Sequence, residues 1–325
     1  IGMIQPFTHG AHVVYLDGTP TPSLLLPALN DVRPTIMLTV PLIIEKIYKN
    51  KIRSIFVKNF AMQVIYSFPI IKRALHKIAG KKLYQTFGGN LRFLGVGGSK
   101  LDGVVEKFLA DAGFPYAIGY GLTETSPLVA GAIPGQTKWQ STGPALEGVE
   151  IKIDSPNSKG VGEILVKGPN VMIGYFRDPA ATANSFTNDG FFKTKDLGNI
   201  DKDGYLYVKG RIDNMIVNSN GENIYPEEIE ATLNEHDFVL ESLVTQRNGK
   251  LVAIVYLNYE QIEAMHKIRD EVNVNLDERV KKVKEEILSH INSRVSKSSR
   301  ISEIIEQPVP FEKTATQKIK RFLYT

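Results

Sequence analysis

The chain contains no cysteine in 325 residues. This excludes a disulfide scaffold, a thiolate metal site and a cysteine nucleophile, and it suits a reducing, cytoplasmic compartment. No run reaches the roughly 18 uncharged apolar residues that a membrane-spanning helix needs. The longest candidate, FAMQVIYSFPII over 60–71, has 12 residues and contains Pro69. Acids are missing from 46–82, where ten Lys or Arg stand without a single Asp or Glu. The net charge of +4 is therefore local, because 29 basic residues face 35 acidic ones in the rest of the chain. A basic segment on an otherwise acidic protein points to an anionic surface. No recognition-helix, zinc-finger or aromatic-basic RNA pattern accompanies it, so nucleic acid is not an expected partner. The opening IGMIQPFTHG shows no initiator methionine, leader pattern or helix cap and reads as beginning inside a domain.

What is present is ordinary for a globular protein. The 42% hydrophobic and 23% charged residues, over this length, allow two or three domains with a sizeable core. Residues 1–130 alternate strand-like and helical runs: AHVVYL, TIMLTV, LRFLGVGG and PYAIGYGL as strands, PSLLLPALNDV, PLIIEKIYKNKI and LDGVVEKFLADAG as helices. That alternation predicts a largely parallel sheet, whose ligands gather at the carboxyl ends of the strands. From about 140 to 210 the period becomes two, in GVEIKI, GEILVKG, GFFKTKDLGNI and GYLYVKG, which predicts a small antiparallel β region. Residues 213–325 form an α+β module, with helices in YPEEIEATLNEH and DERVKKVKEEILSHINSRVS and a hairpin over Asn248-Gly249.

Several motifs carry candidate chemistry. NIDKDGYLYVKG over 199–210 has the first positions of a calcium loop, but Gly210 stands where the bidentate Glu is required, so a hairpin turned by Asp203-Gly204 is expected. GVGGSKL over 95–101 fits neither dinucleotide nor P-loop spacing. Gly97 and Gly98 still let something flat approach the backbone, a tight strand-to-helix turn being the plain alternative. In GYGLTETSP over 119–127, Tyr120 between two glycines can present its ring to a planar ligand. Thr123 offers a hydroxyl there and Glu124 a carboxylate suited to Mg²⁺, although Thr-Glu also fits a helix cap. Asp196 can accept hydrogen bonds from a ribose diol. Arg211 and Asp213 stand at the junction with the last module.

Taken in order, GG-S-KL, GYGLTET, TKDLG with GRID, the glycine loop before YPEEIE, and KTATQKIKR resemble the adenylate-forming acyl-CoA synthetase superfamily over essentially the whole chain. Three features look most like the long-chain fatty acid–CoA ligases: the basic insert before LRFLGVGG, the ten residues from Arg211 to Gly221, and Gln317 in place of the usual glycine. The resemblance implies that 1–212 is the C-terminal part of a large AMP-binding domain, with an α/β subdomain over 1–139 and a β-barrel-like subdomain over 140–212. It implies that 213–325 is a small mobile domain. The implied reaction uses ATP, Mg²⁺ and coenzyme A to join a fatty acid to the thiol through an acyl-adenylate.

The roles come with it. Tyr120 and Gly121 would meet adenine, with Gly97, Gly98 and Ser99 beside it. Thr123 would bind phosphate and Glu124 the metal. Asp196, aided by Arg211, would hold the ribose, Asp213 would be the hinge, and the Gly221 loop would line the pantetheine path. Lys318 would be the adenylation lysine. Asn220 replaces a usual glycine. The family's Ser/Thr/Gly/Lys-rich phosphate loop has no match here, so the chain alone is expected to bind AMP-type ligands weakly and not to exchange pyrophosphate. Other readings are an acyl-carrier-protein or amino-acid adenylating enzyme of the same fold, or a non-catalytic nucleotide-binding fragment. The segment 46–82 reads either as a solvated face of ordinary helices or as a peripheral contact with anionic membrane at the inner surface, to which Phe56, Phe60 and Phe68 would add insertion energy if they share one face.

Overall fold

Three short apolar runs form adjacent parallel strands: β1 (Ile36–Thr39), β2 (Phe93–Val96) and β3 (Tyr116–Gly121). Ile36 lies opposite Phe93, and Leu94 opposite Tyr116. A fourth strand, β4 (Leu128–Gly131), adds antiparallel to β3. The computed structural model describes residues 4–17, 22–53, 56, 66, 68–218, 221–268, 276–314 and 318–325. These divide into two compact units, one of 1–194 with 199–208 and the other of 195–198 with 209–325.

Helices of the first unit are α1 (Ile4–Thr8), α2 (Pro22–Val32), α3 (Pro41–Ile47), α4 (Pro69–Thr86), α5 (Gly103–Ala112) and α6 (Pro179–Asn184). Proline begins α2, α3, α4 and α6, where its missing N–H costs nothing. Helix α3 continues as a π-helical turn over Tyr48–Arg53. Helix α5 starts at Asp102, whose carboxylate accepts from the N–H groups of Val104 (2.7 Å) and Val105 (3.0 Å), and ends at Gly113 in the left-handed region. The core joins Ile44 and Ile47 of α3, Leu83 of α4, Leu94 and Val96 of β2, and Phe108 and Leu109 of α5. Buried His76 of α4 reaches Asp111 of α5 with Nδ1 at 3.1 Å.

The β region is an open sheet in the order β5 (Glu150–Asp154), β6 (Gly162–Lys167), β7 (Phe192–Ile200), β8 (Leu206–Arg211). Asp201 makes the predicted turn between β7 and β8: its Oδ1 accepts from the N–H groups of Asp203 and Tyr205, each at 2.9 Å. Lys138 reaches Asp201 at 2.7 Å and Asp203 at 2.6 Å, so these acids serve a turn rather than a calcium ion.

In the second unit a two-stranded ribbon, β9 (Ile216–Val217) with β10 (Asn223–Ile224), precedes α7 (Pro226–Asn234). The hairpin of β11 (Val239–Arg247) and β12 (Lys250–Leu257) turns at Asn248-Gly249, both at positive φ. Next come α8 (Tyr259–Ile268) and α9 (Leu276–Asn292), then β13 (Glu303–Gln307), which pairs parallel with β12. Ile229, Leu233, Val244, Ile287 and Ile291 are at the centre of this core.

Two expectations fail. AHVVYL over 11–16 forms no strand, and its Val14 and Tyr15 are 47% and 67% exposed. Its alternation suits a pleat, but no described strand offers its backbone a ladder, and a strand exists only through such pairing. The basic insert is not a uniform apolar-basic face either. Phe56 is 3% exposed and stacks on Tyr66, whereas Phe68 is 55% exposed, so the two cannot share one membrane-facing surface. Phe60 lies outside the described residues, as do Asn220 and Gln317. Nor are the cations all without acids, since Arg73 reaches Asp111 at 3.6 Å.

Candidate functional site

Parallel pairing brings the carboxyl ends of β1, β2 and β3 to one edge of the sheet. There the N–H of Gly97 donates to the carbonyl of Thr39 at 3.1 Å, and a Cβ built on Gly97 would stand 3.4 Å from the carbonyl oxygen of Gly119. The glycine loop and the Tyr120 strand are thus neighbours. Gly98 has φ +94°, a conformation that other residues rarely adopt, and with Ser99 it is exposed at this edge.

Tyr120 is half-buried, packed on the cluster around Val129, Ala130 and Ile164. Gly121 is required by close approach: a Cβ there would lie 1.6 Å from the carbonyl oxygen of Pro127. The following turn is built by Thr125, which the sequence reading passed over. Its buried hydroxyl accepts from the Leu122 N–H at 2.9 Å and shares its one proton between the carbonyls of Pro127 (2.8 Å) and Leu122 (3.0 Å). Ser126 takes positive φ to complete the turn. Asn170 braces it from outside by donating to the carbonyls of Thr125 (3.0 Å) and Leu128 (2.8 Å).

This frame leaves Thr123 exposed and Glu124 half-buried, with the Tyr175 hydroxyl donating to Glu124 Oε1 at 3.1 Å. Among the described residues no three His, Cys, Asp or Glu side chains gather as a metal cage. A single oriented carboxylate is nonetheless the donor set a magnesium ion uses when phosphates and water fill its other positions. Glu124 fits that use.

Behind the glycine loop, Glu45 of α3 accepts from the N–H of Asp102 at 2.9 Å, tying α3 to the start of α5. Burial, foremost, and then the neighbouring Asp102 charge push its carboxyl up to about 7. A carboxyl raised on folding binds its proton more tightly in the native state. Its contribution to stability therefore falls as pH rises from about 4.5 to about 7. Glu45→Gln, which keeps the acceptor oxygen, should remove this slope and stabilise the chain at pH 8 by up to about 3 kcal/mol. Denaturant midpoints at pH 5 and pH 8 check it, and parallel pH dependence in both proteins would refute the assignment.

In the second unit Asp196 and Arg211 meet, with Arg211 Nε 3.2 Å from Asp196 Oδ1. Lys195 at φ 58° breaks the alternation of β7, so Asp196, Leu197 and Gly198 are buried in succession. A regular strand would have turned one neighbour outward. Asp213 lies in a 3₁₀ turn over Ile212–Asn214, with its carboxylate 3.9 Å from Lys195. Gly221, at φ +77°, is in the turn between β9 and β10.

The C-terminal tail is anchored. Phe311 packs with Leu243, Ile254 and Tyr324, and Lys313 reaches Glu241 at 2.5 Å. Arg321 makes paired bonds to Glu230 at 2.7 and 2.9 Å. Between these anchors the Lys318 N–H donates to the Thr314 hydroxyl at 3.2 Å, the Thr314 N–H donates to the Lys318 carbonyl at 2.8 Å, and the Lys318 side chain is exposed. Each unit thus holds its own group of the predicted residues: Gly97–Ser99 with Tyr120–Glu124 in the first, Asp196–Arg211, Asp213, Gly221 and Lys318 in the second.

Comparison with known proteins identifies two matching family models: AMP-binding enzyme over residues 1–176 and AMP-binding enzyme C-terminal domain over 213–323. A long-chain-fatty-acid–CoA ligase of Mycobacterium bovis is 33% identical over 239 residues, covering 68% of this chain and 39% of that protein. A 2-succinylbenzoate–CoA ligase of Bacillus licheniformis is 38% identical over 179 residues, 53% of this chain and 37% of the relative. Among solved structures, the O-succinylbenzoate coenzyme A synthetase of Bacillus subtilis in complex with ATP and magnesium ion superposes with a TM-score of 0.70 at 26% identity, over 98% of this chain and 57% of the other. The chain spans about two fifths of the length of these curated relatives.

Proposed function

This chain belongs to the AMP-binding enzyme family, and on that premise we propose that it supplies the adenine, ribose and lysine-bearing parts of an AMP-forming ligase joining a fatty acid to coenzyme A. The observation that carries the reading is the meeting, at one sheet edge, of the glycine loop 97–99 with Tyr120 and the Thr123-Glu124 turn. In this reading the Tyr120 ring stacks on adenine, Asp196 held by Arg211 accepts from the ribose hydroxyls, and Thr123 donates to a phosphate oxygen. Glu124 holds Mg²⁺, which when bound neutralises phosphate charge. Asp213 is the hinge, and Gly221 lies on the pantetheine path. Calorimetric titration of residues 1–325 with AMP tests it. Weak binding is expected, lowered about tenfold by Tyr120→Ala, since base–aromatic stacking contributes about 1–3 kcal/mol. The chain should not catalyse ATP–pyrophosphate exchange. An AMP affinity untouched by both Tyr120→Ala and Asp196→Ala would overturn the reading.

A fatty acid is favoured as substrate by the likeness to the long-chain ligase and by the basic insert, whereas the succinylbenzoate ligases are as similar in sequence. Pyrophosphate exchange by the full-length protein with palmitate, acetate, amino acids and 2-succinylbenzoate decides between them.

No helix among the described residues is long and apolar enough to cross a membrane. Peripheral association is proposed through α4, whose exposed surface combines Ile70 (87% exposed) and Ile78 (69%) with Arg73, Lys77, Lys81 and Lys82. Lys77, Lys81 and Lys82 changed to Glu should abolish sedimentation with anionic vesicles at low salt. Binding indifferent to lipid charge and to this reversal would reject the role.

A further inference from the structure

In the first unit, residues 170–175 run along the turn 123–128 and hold it at several points. Asn170 donates to two of its carbonyls, and the Met172 N–H donates to the Glu124 carbonyl at 2.8 Å. The last of these contacts reaches a side chain instead: the Tyr175 hydroxyl donates to Glu124 Oε1 at 3.1 Å. Tyr175 is itself seated by the start of α6. Its N–H donates to the Thr182 hydroxyl at 2.9 Å, and its carbonyl accepts from the Asp178 N–H at 3.3 Å. Thr182 Oγ1 in turn donates to the Asp178 carbonyl at 2.8 Å, and Asp178 caps α6 by accepting from the Ala181 N–H at 2.8 Å. Gly174 permits this close seating, since a Cβ there would stand 2.6 Å from Thr182 Cγ2.

A glutamate carboxylate swings about its side-chain bonds, and a cation must stop that motion when it binds. A hydrogen bond to one oxygen stops it beforehand and leaves the other oxygen for the cation. Glu124 has this arrangement: Oε1 is engaged by the phenol, and among the described residues Oε2 accepts no hydrogen bond. Glu124 is half-buried and Tyr175 is exposed, so an incoming ligand can reach the pair. We propose that Tyr175 is a positioning residue, which orients the Glu124 carboxylate toward a divalent cation carried by a phosphate compound. This rests on the reading of Glu124 given above and adds a residue to it. The backbone bonds from Asn170 and Met172 do not involve the phenol. Removing its hydroxyl should therefore disturb the carboxylate and spare the turn.

Calorimetric titration of the full-length protein with ATP, with and without Mg²⁺, tests the role. Tyr175→Phe should cut the gain in ATP affinity that Mg²⁺ confers by up to about tenfold, the low end of the usual loss for a hydrogen-bond partner of a metal-binding group. Its metal-free ATP affinity should match the parent's, which a general loosening of the fold would not allow. In ATP–pyrophosphate exchange, the Mg²⁺ concentration for half-maximal rate should rise by a similar factor, and the rate at saturating Mg²⁺ should fall by a smaller one. Thr182→Val, which removes the acceptor of the Tyr175 N–H, should shift the Mg²⁺ dependence in the same direction by less. Glu124→Gln should reduce the Mg²⁺ gain at least as much as Tyr175→Phe. Combining the two should add nothing further, because the phenol acts through that carboxylate. If Glu124→Gln reduces the gain and Tyr175→Phe does not, or if the two losses add, the positioning role is overturned while the reading of Glu124 stands. If neither variant moves the Mg²⁺ gain, the assignment of Glu124 to the metal falls as well.

Discussion

Changing Lys318 to Ala in the full-length protein should lower acyl-adenylate formation about 10²–10³-fold, the usual cost of removing a group that stabilises charge developing in the transition state. Thioester formation from supplied acyl-adenylate should be largely spared. A carboxylate attacking a phosphorus brings two anions together, and negative charge grows on the phosphate oxygens as the bond forms. An ammonium at that point lowers the barrier, and its long stem can deliver charge from an anchored backbone. The tail has that character here. Lys318 is exposed, while Phe311, Lys313 and Arg321 fix the segments on either side. The two half-reactions are to be measured separately, by ATP–pyrophosphate exchange and by thioester release. Equal loss in both would mean that the lysine supports the fold or a shared binding step, and its assignment to adenylation would fall.

Arg321→Ala should destabilise the second unit by up to about 3 kcal/mol, the lower end of the range for buried ion pairs, because removing one partner of this partly buried pair leaves the other charge without compensation. The guanidinium bonds both oxygens of Glu230 and also donates to the Val244 carbonyl at 2.7 Å, while Glu230 Oε1 accepts from the Val244 N–H at 2.6 Å. Burial outweighs the arginine and pushes the Glu230 carboxyl up to about 7. Without Arg321 it should rise further, so the loss should be larger at pH 8, where the carboxylate must be charged, than at pH 5. Hydrogen exchange of the β11 amides at the two pH values measures this. Replacing both partners by leucine should recover most of the stability, since an apolar pair leaves no buried charge. A loss under 1 kcal/mol at both pH values would show that the pair is solvated.

The sequence by itself determined the elements whose signals are local. The helical runs PSLLLPALNDV, PLIIEKIYKNKI and LDGVVEKFLADAG and the Asn248-Gly249 turn each rest on signals within a few residues, so they are legible without a fold. The glycine loop at 97–98 and the lone Tyr120 between glycines were legible for the same reason: a backbone exception marks itself in the sequence. AHVVYL was misread as a strand because pairing is a property of two segments, and the run shows only one. β13 was missed for the converse reason. Glu303–Gln307 has an unremarkable pattern and becomes a strand by lying along β12.

Tertiary structure alone decided which polar groups serve the site. Glu45 and Asp102 are 57 positions apart, Thr125 and Asn170 are 45 apart, and Arg321 and Glu230 are 91 apart. Nothing in the composition around Glu45 distinguishes it from a surface acid, yet desolvation raises its carboxyl and the Asp102 N–H ties it to the start of α5. The same holds for Asp196, whose inward turn depends on one left-handed residue, Lys195, in the middle of a strand. Hydrogen bonds, desolvation and charge pairing act through space at a few ångströms. Chain order records only neighbours along the backbone, so local geometry is written in it and the partners of buried charges are not.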